Sequence, residues 1–146
     1  SGFIGRALLH VVNRKISAGA NSNPLSGSNA HLEHIAPQTE NETWLFTLFG
    51  ESEEDRKKYD ETISQIGNLT LLDSGLNAMA QRKPFSEKLV EYKKSSFLIS
   101  RELCDLKEWN LDLIQKRNKW LIAMFNIYWA IEQSNEKIVS FSSWIK

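Results

Sequence analysis

The spacing of apolar residues predicts a mostly helical chain that contains two short strands. From Phe3 to Ile16 the apolar side chains recur every three or four positions, which is typical of an amphipathic helix. Segments 31–38 and 66–72 are short and apolar and contain a proline or a glycine near one end, so each predicts a brief strand. The charged segment 51–59 between them predicts an exposed helix.

The second half of the sequence predicts helices almost throughout. Asp73 and Ser74 are candidate N-cap residues for a helix that carries Asn77. Pro84 suits the first turn of a further helix. Apolar residues from Leu106 to Trp129 form a long helical face. These patterns together predict an α+β domain with a C-terminal helical bundle.

Composition narrows the functional classes. The length of 146 residues suits one domain, residues 1–146, which we expect to be the C-terminal part of a longer protein. The formal net charge of zero argues against a strongly basic nucleic-acid-binding domain. The single cysteine, Cys104, excludes an internal disulfide framework and a cysteine-based zinc site. The single cysteine fits a reducing compartment, so we expect a cytoplasmic protein. No apolar run reaches the roughly 20 residues of a membrane span.

The densest cluster of titratable side chains is the segment 31–38, which reads HLEHIAPQ. It contains two of the three histidines of the chain beside a carboxylate. Taken alone, Glu33 and His34 are typical of a surface ion pair at the end of a strand. Asn77 alone would be an amide on a helix surface, and Lys88 alone would be a solvated lysine.

The order of the motifs, however, resembles the HNH, or His-Me finger, nucleases. The motifs in this chain are Glu-His-Ile-Ala-Pro-Gln at 33–38, Gly-Asn-Leu-Thr-Leu-Leu at 67–72, Asn77 nine positions after Asn68, and Phe-Ser-Glu-Lys at 85–88. They are particularly similar to the C-terminal nuclease domain of GmrSD-like type IV restriction enzymes. The resemblance implies a ββα-metal core flanked by an N-terminal helix and the C-terminal helical bundle.

The resemblance also implies metal-dependent hydrolysis of DNA phosphodiesters. His34 would be the general base, because a neutral imidazole accepts a proton from water near neutral pH. Glu33 and Asn77 would supply oxygen ligands to Mg²⁺ or Mn²⁺. Asn68 would support His34 or the intervening loop by hydrogen bonds, and Lys88 would contact a phosphate oxygen or the leaving group.

Two positions depart from the pattern of many HNH domains. Glu33 stands where aspartate is common, so the backbone has to adjust the metal distance, and Asn77 stands where histidine is common. Strand alternation puts His31 on the face of Glu33, opposite His34. We expect His31 to be partly buried and hydrogen-bonded, and a role as a further metal ligand stays open.

Local charge agrees with DNA binding. Segment 82–101 has six basic residues against two acidic ones, whereas segment 51–61 has six acidic residues against three basic ones. The basic residues expected to contact DNA are Arg82, Lys83, Lys93 and Lys94. Trp109 and Arg117 are similar to a tryptophan and an arginine of the family's C-terminal helices, and we expect core packing for the first and a structural ion pair for the second.

The family context adds partners that lie outside these residues. It implies a bacterial anti-phage restriction system in which an N-terminal nucleotide-hydrolysing domain senses modified DNA, and it leaves homodimerisation open. Two alternatives remain from the sequence: a catalytically inactive DNA-binding module of the same fold, and a helical interaction domain with an accidental motif match. Metal-dependent cleavage would distinguish a nuclease from both alternatives. Duplex affinity that falls with salt would distinguish the DNA-binding module from the interaction domain.

Overall fold

The computed structural model describes residues 2–17, 30–38, 44, 53–129 and 138–146. The helices and strands in these ranges are α1 (Gly2–Ile16), β1 (Ala30–His34), α2 (Glu53–Ile63), β2 (Leu69–Asp73), α3 (Ser74–Ala80), α4 (Phe85–Tyr92), α5 (Leu98–Arg101), α6 (Leu111–Trp129) and α7 (Phe141–Trp144). Two 3₁₀ turns cover Ile66–Asn68 and Glu102–Asp105. The predicted class, an α+β fold dominated by helix, is confirmed. None of the helices in the described ranges is both long and apolar enough to cross a membrane.

The two strands pair with each other in antiparallel orientation, and His34 lies opposite Leu69. The first four residues of β2 are all buried, because α1, α3 and α5 contact this strand. α3 follows β2 directly in the chain and contacts both strands. The order strand, strand, helix therefore brings the end of β1 next to α3.

Tryptophans fill the core beneath this unit. Trp109 is buried, as predicted, and so is Trp120. The ring of Trp109 stacks on Phe85 with centroids 5.8 Å apart and meets Phe141 edge-on at 6.5 Å. These rings pack against one another and are not available as platforms for stacking bases.

The turn before β2 differs from the prediction. Residues Ile66–Asn68 form a 3₁₀ turn, and the strand begins only at Leu69. The reason is the close approach of Gly67 to α6, where a Cβ atom on this glycine would lie 2.2 Å from the carbonyl oxygen of Ile114. The amide of Gly67 donates to Oδ1 of Asn118 at 2.6 Å. Only glycine fits this contact, which explains the first residue of the Gly-Asn-Leu motif.

Arg117 on α6 is buried, and in the described part of the chain its guanidinium donates to main-chain carbonyls and not, as predicted, to a carboxylate. Its Nη1 atom donates to the carbonyl oxygens of Gly67 at 2.9 Å and Leu69 at 2.5 Å. The planar guanidinium has several donors at fixed angles, so one side chain serves both carbonyls. Burial lowers the pKa of Arg117 to about 10, although the nearby Glu102 carboxylate opposes this shift.

Asp73 precedes α3 as predicted, yet its carboxylate does not cap that helix. It accepts hydrogen bonds from the backbone amide of Ser96 at 3.0 Å and from the hydroxyl of Ser96 at 2.5 Å. Asp73 therefore ties the end of β2 to the segment after α4. α4 itself begins at Phe85, directly after Pro84.

Candidate active site

His34 is the last residue of β1, and its side chain is half-buried. Burial lowers the pKa of the imidazole below its ordinary value of 6.5, and the positive charge of Lys88 adds to this shift. The imidazole is therefore neutral at physiological pH. This is the form that accepts a proton from water.

The side chain of His34 borders a pocket of about 250 Å³, which we call the His34 pocket. Its lining residues are Leu32, Glu33, His34, Pro37, Gln38, Asn77, Gln81 and Arg82. The pocket thus brings together a candidate base, a carboxylate and an amide from β1 and α3. A second hollow of about 510 Å³ lies on the other side of His34. It is lined mainly by apolar residues of α1, β1 and the turn before β2: Ile4, Gly5, Leu8, Leu32, His34, Gln38, Ser64, Ile66 and Leu69.

Asn68 fixes the loop that follows His34. Its Oδ1 atom accepts from the amide of Ala36 at 2.9 Å and from Nε1 of Trp109 at 3.1 Å. Its Nδ2 atom donates to the carbonyl oxygens of Ala36 at 2.8 Å and Ile63 at 3.0 Å. An asparagine amide offers two donors and one acceptor oxygen with two lone pairs, so Asn68 uses its full capacity inside the protein. Its geometry is that of a support for the loop, with no group left for a substrate.

Glu33 forms a buried ion pair with α4. Its Oε1 atom accepts from Nζ of Lys88 at 2.6 Å and from the hydroxyl of Tyr92 at 3.0 Å. The same Nζ atom donates to the backbone carbonyl oxygen of His34 at 2.8 Å. Burial raises the pKa of the Glu33 carboxyl and lowers that of the Lys88 ammonium, and the ion pair opposes both shifts.

The burial of Lys88 corrects the expectation that this residue reaches a phosphate. Its side chain has no exposed surface, and its ammonium points to Glu33 and to the backbone of His34. The attraction of a buried carboxylate explains this orientation, since a buried charge needs a partner. In this arrangement Lys88 contacts two residues that line the His34 pocket but does not line the pocket itself.

His31 is exposed, so the expectation of a partly buried side chain is wrong. It shares a strand face with Glu33, but Glu33 is buried and His31 is not. His31 lines neither of the two hollows. It is therefore no candidate ligand for an ion in the His34 pocket.

The oxygen atoms of the His34 pocket set limits on a bound metal. Among the described residues, no group of three or more His, Cys, Asp or Glu side chains is placed to hold a metal ion. Oε2 of Glu33 and the side chain of Asn77 have no hydrogen-bond partner in the same part of the chain. Two such oxygen donors fit a hard divalent cation that keeps most of its water ligands. A soft metal would fit them poorly.

Sequence reasoning missed three residues at this site: Tyr92, Gln38 and Gln81. Tyr92 follows Lys88 by four positions, and this helical spacing could have placed both on one face. Gln38 is the last residue of the Glu-His-Ile-Ala-Pro-Gln motif, but the sequence predicted no function for it. Gln81 has a positive φ of 31°, which is uncommon for a residue with a side chain, and nothing in the sequence discloses it.

The four basic residues expected to contact DNA lie in two places. Arg82 and Lys83 connect α3 to α4, and Arg82 lines the His34 pocket, while Lys83 is half-buried. Lys93 and Lys94 follow the other end of α4 and are exposed, and Nζ of Lys94 lies 3.4 Å from a carboxylate oxygen of Glu91. The eight residues of α4 separate the two pairs by about 12 Å. Contact with DNA stays a prediction for all four.

Comparison with known proteins identifies the family. The sequence model described as "GmrSD restriction endonucleases, C-terminal domain" matches residues 4–124. No curated protein and no solved structure matches the chain. The matched region contains both strands, the His34 pocket and α4. The chain therefore belongs to the family of C-terminal domains of GmrSD restriction endonucleases, which indicates a nuclease domain with DNA as its substrate.

Proposed function

We propose that this chain is an HNH-type, divalent-metal-dependent DNA endonuclease domain in which His34 is the general base. The observation that carries the proposal is the shared pocket of about 250 Å³ lined by Glu33, His34 and Asn77. The strand–strand–helix unit around this pocket would be the ββα-metal core. Membership of a restriction endonuclease family supports the same reaction class.

His34 would remove a proton from the water that attacks the phosphorus atom. The lowered pKa of its imidazole favours the neutral form needed for this step. Pairing in the sheet holds His34 from one side, and the hydrogen bonds of Asn68 hold the loop that follows it. The geometry thus fixes the backbone on both sides of the base, which favours a constant orientation toward the pocket.

Oxygen atoms of Glu33 and Asn77 would hold Mg²⁺ or Mn²⁺. The bound ion would stabilise negative charge on the phosphodiester as a Lewis acid. Arg82, at the same pocket, would contact a phosphate next to the scissile bond, and Lys83 would lie beside it. Lys93 and Lys94 would contact the duplex farther along α4.

The family also suggests the biological setting. We place the domain in the bacterial cytoplasm as the effector of an anti-phage restriction protein. Recognition of modified DNA and nucleotide hydrolysis would belong to an N-terminal domain outside these residues. Homodimerisation would allow one assembly to cut both strands.

A supercoiled-plasmid assay tests the proposed reaction. The chain would be incubated with Mg²⁺, Mn²⁺ or EDTA, alongside His34→Ala and Asn77→Ala. His31→Ala is the matched control, since His31 lies on the same strand but outside the pocket. We expect metal-dependent nicking that both site variants abolish and that the control retains. Equal nicking by folded His34→Ala would exclude His34 as the base.

A catalytically inactive DNA-binding module is the second candidate. It is favoured by the ion pair of Glu33 with Lys88, which reduces the negative charge available to a cation. This candidate predicts duplex binding that weakens steeply with salt, and no cleavage by the full-length protein under any metal condition. Cleavage by the full-length protein that requires His34 would exclude it.

A further inference from the structure

The residues at the centre of the His34 pocket are held from behind by two side chains of α4. Nζ of Lys88 lies 2.6 Å from Oε1 of Glu33 and 2.8 Å from the carbonyl oxygen of His34. The hydroxyl of Tyr92 donates to the same Oε1 atom at 3.0 Å. Lys88 and Tyr92 are both fully buried. Two donors therefore converge on one oxygen of the carboxylate, while the other oxygen has no partner among the described residues.

We propose that Lys88 and Tyr92 are positioning residues that bind Oε1 of Glu33 and leave Oε2 as the single oxygen presented to a divalent cation. The proposal rests on the function proposed above. It gives Lys88 a role different from contact with DNA, and it adds Tyr92 to the residues on which the site depends. Neither side chain touches the substrate.

The arrangement explains how one helix can set the geometry of both Glu33 and His34. A single ammonium group joins the side chain of Glu33 to the main chain of His34, so the two residues move together. The hydroxyl of Tyr92 restricts rotation of the carboxylate about its last bond. Residues that hydrogen-bond to metal ligands in this way typically change metal affinity or activity by a factor of 10–100 when they are replaced.

Burial separates this role from phosphate binding. A lysine with no exposed surface cannot meet a phosphate oxygen unless it leaves Glu33. Contact of Lys88 with a phosphate would release a counterion. A variant that lost this contact would show a slope of log affinity against log salt that is smaller in magnitude by about 0.9. A positioning role predicts no change in that slope.

The test compares Tyr92→Phe and Lys88→Met with the unaltered chain. Binding of Mn²⁺ is measured without DNA by titration calorimetry, and kcat and KM are measured on a plasmid substrate. We expect a roughly tenfold loss of Mn²⁺ affinity and of kcat in Tyr92→Phe, and a larger loss in Lys88→Met. KM for the plasmid and the salt slope of duplex binding should stay unchanged. Lys116→Met is the control, because Lys116 is a half-exposed lysine on α6, distant from the pocket in sequence.

Each result supports the proposal or overturns it. Unchanged Mn²⁺ affinity in folded Tyr92→Phe overturns it, as does a salt slope reduced by about 0.9 in Lys88→Met, which would assign Lys88 to DNA. If Lys88→Met fails to fold, Tyr92→Phe alone decides, since it keeps the ion pair. If the unaltered chain nicks DNA and both variants keep its kcat and Mn²⁺ affinity, the positioning role is overturned and the proposed function is not. Absence of both Mn²⁺ binding and nicking in the unaltered full-length protein overturns the proposed function as well.

Discussion

Replacing Glu102 with glutamine should stabilise the chain about three times more above pH 7 than near pH 5. Glu102 lies in the second 3₁₀ turn and is 7% exposed. Its Oε2 atom accepts from the amide of Phe141 at 2.8 Å, but its Oε1 atom is buried without a hydrogen-bond partner in the described ranges. Burial raises the pKa of this carboxyl from 4.5 to about 7, against the opposing attraction of Arg117.

The size of the effect follows from the two pKa values. Between pH 4.5 and 7 the folded state keeps a proton on Glu102 that the unfolded chain has already released. The free energy of unfolding therefore falls as the pH rises through this window, by about 1.4 kcal/mol per pH unit. Over the whole window the loss amounts to about 3 kcal/mol. Glutamine resembles the protonated carboxyl, so Glu102→Gln should escape this loss.

Urea unfolding followed by tryptophan fluorescence between pH 4.5 and 8.5 measures the difference. The free energies of unfolding of the variant and the unaltered chain should differ by just under 1 kcal/mol at pH 5 and by about 3 kcal/mol at pH 8. Glu108→Gln, at an exposed position, controls for the substitution itself. A difference that does not vary with pH would refute the reasoning, because it would mean that Glu102 has the same pKa in both states.

Four further predictions concern the frame and the surface of the site. Asn68→Ala should lower the free energy of unfolding by at least about 3 kcal/mol in urea titrations, since it leaves several buried backbone and side-chain groups without partners. Gly67→Ala should cost a similar amount, because the new Cβ would lie 2.2 Å from the oxygen of Ile114. Gly75→Ala, where a Cβ meets no atom within 4 Å, should instead stabilise the chain by about 0.5–1 kcal/mol. Arg82→Ala should reduce the salt slope of duplex binding by about 1 and leave Mn²⁺ affinity unchanged, and an unaltered slope would exclude a phosphate contact.

Local patterns account for the parts of the fold that the sequence could predict. Helical periodicity located α1, α4 and α6, and the apolar segments located both strands. The order of the motifs placed Glu33, His34 and Asn77 at one site, and these three do line one pocket. These predictions depend on neighbours in the chain, on a strand pair and on the helix that follows it.

Long-range contacts account for the parts that the sequence could not predict. Lys88 has the pattern of a solvated lysine on an amphipathic helix, and its partner Glu33 lies 55 positions earlier in the chain. Asp73 has the pattern of an N-cap residue, but the groups that donate to its carboxylate lie 23 positions away at Ser96. In both cases a side chain with a common local role takes a tertiary partner, and for Lys88 the reason is burial, which makes an unpaired polar group costly.

The geometry of the candidate base depends on a helix far from it in sequence. On α6, Asn118 accepts a hydrogen bond from the amide of Gly67, and Arg117 donates one to its carbonyl oxygen. Asn68, the next residue, holds both backbone groups of Ala36, two positions after His34. A continuous path of hydrogen bonds therefore runs from α6 through the Gly-Asn turn to the loop beside the pocket. Each bond in the path is buried or partly buried. A substitution in α6 that breaks one of them therefore alters the position of this loop, and its free-energy cost is comparable to that of a lost internal hydrogen bond. α6 is in this sense part of the frame that orients His34.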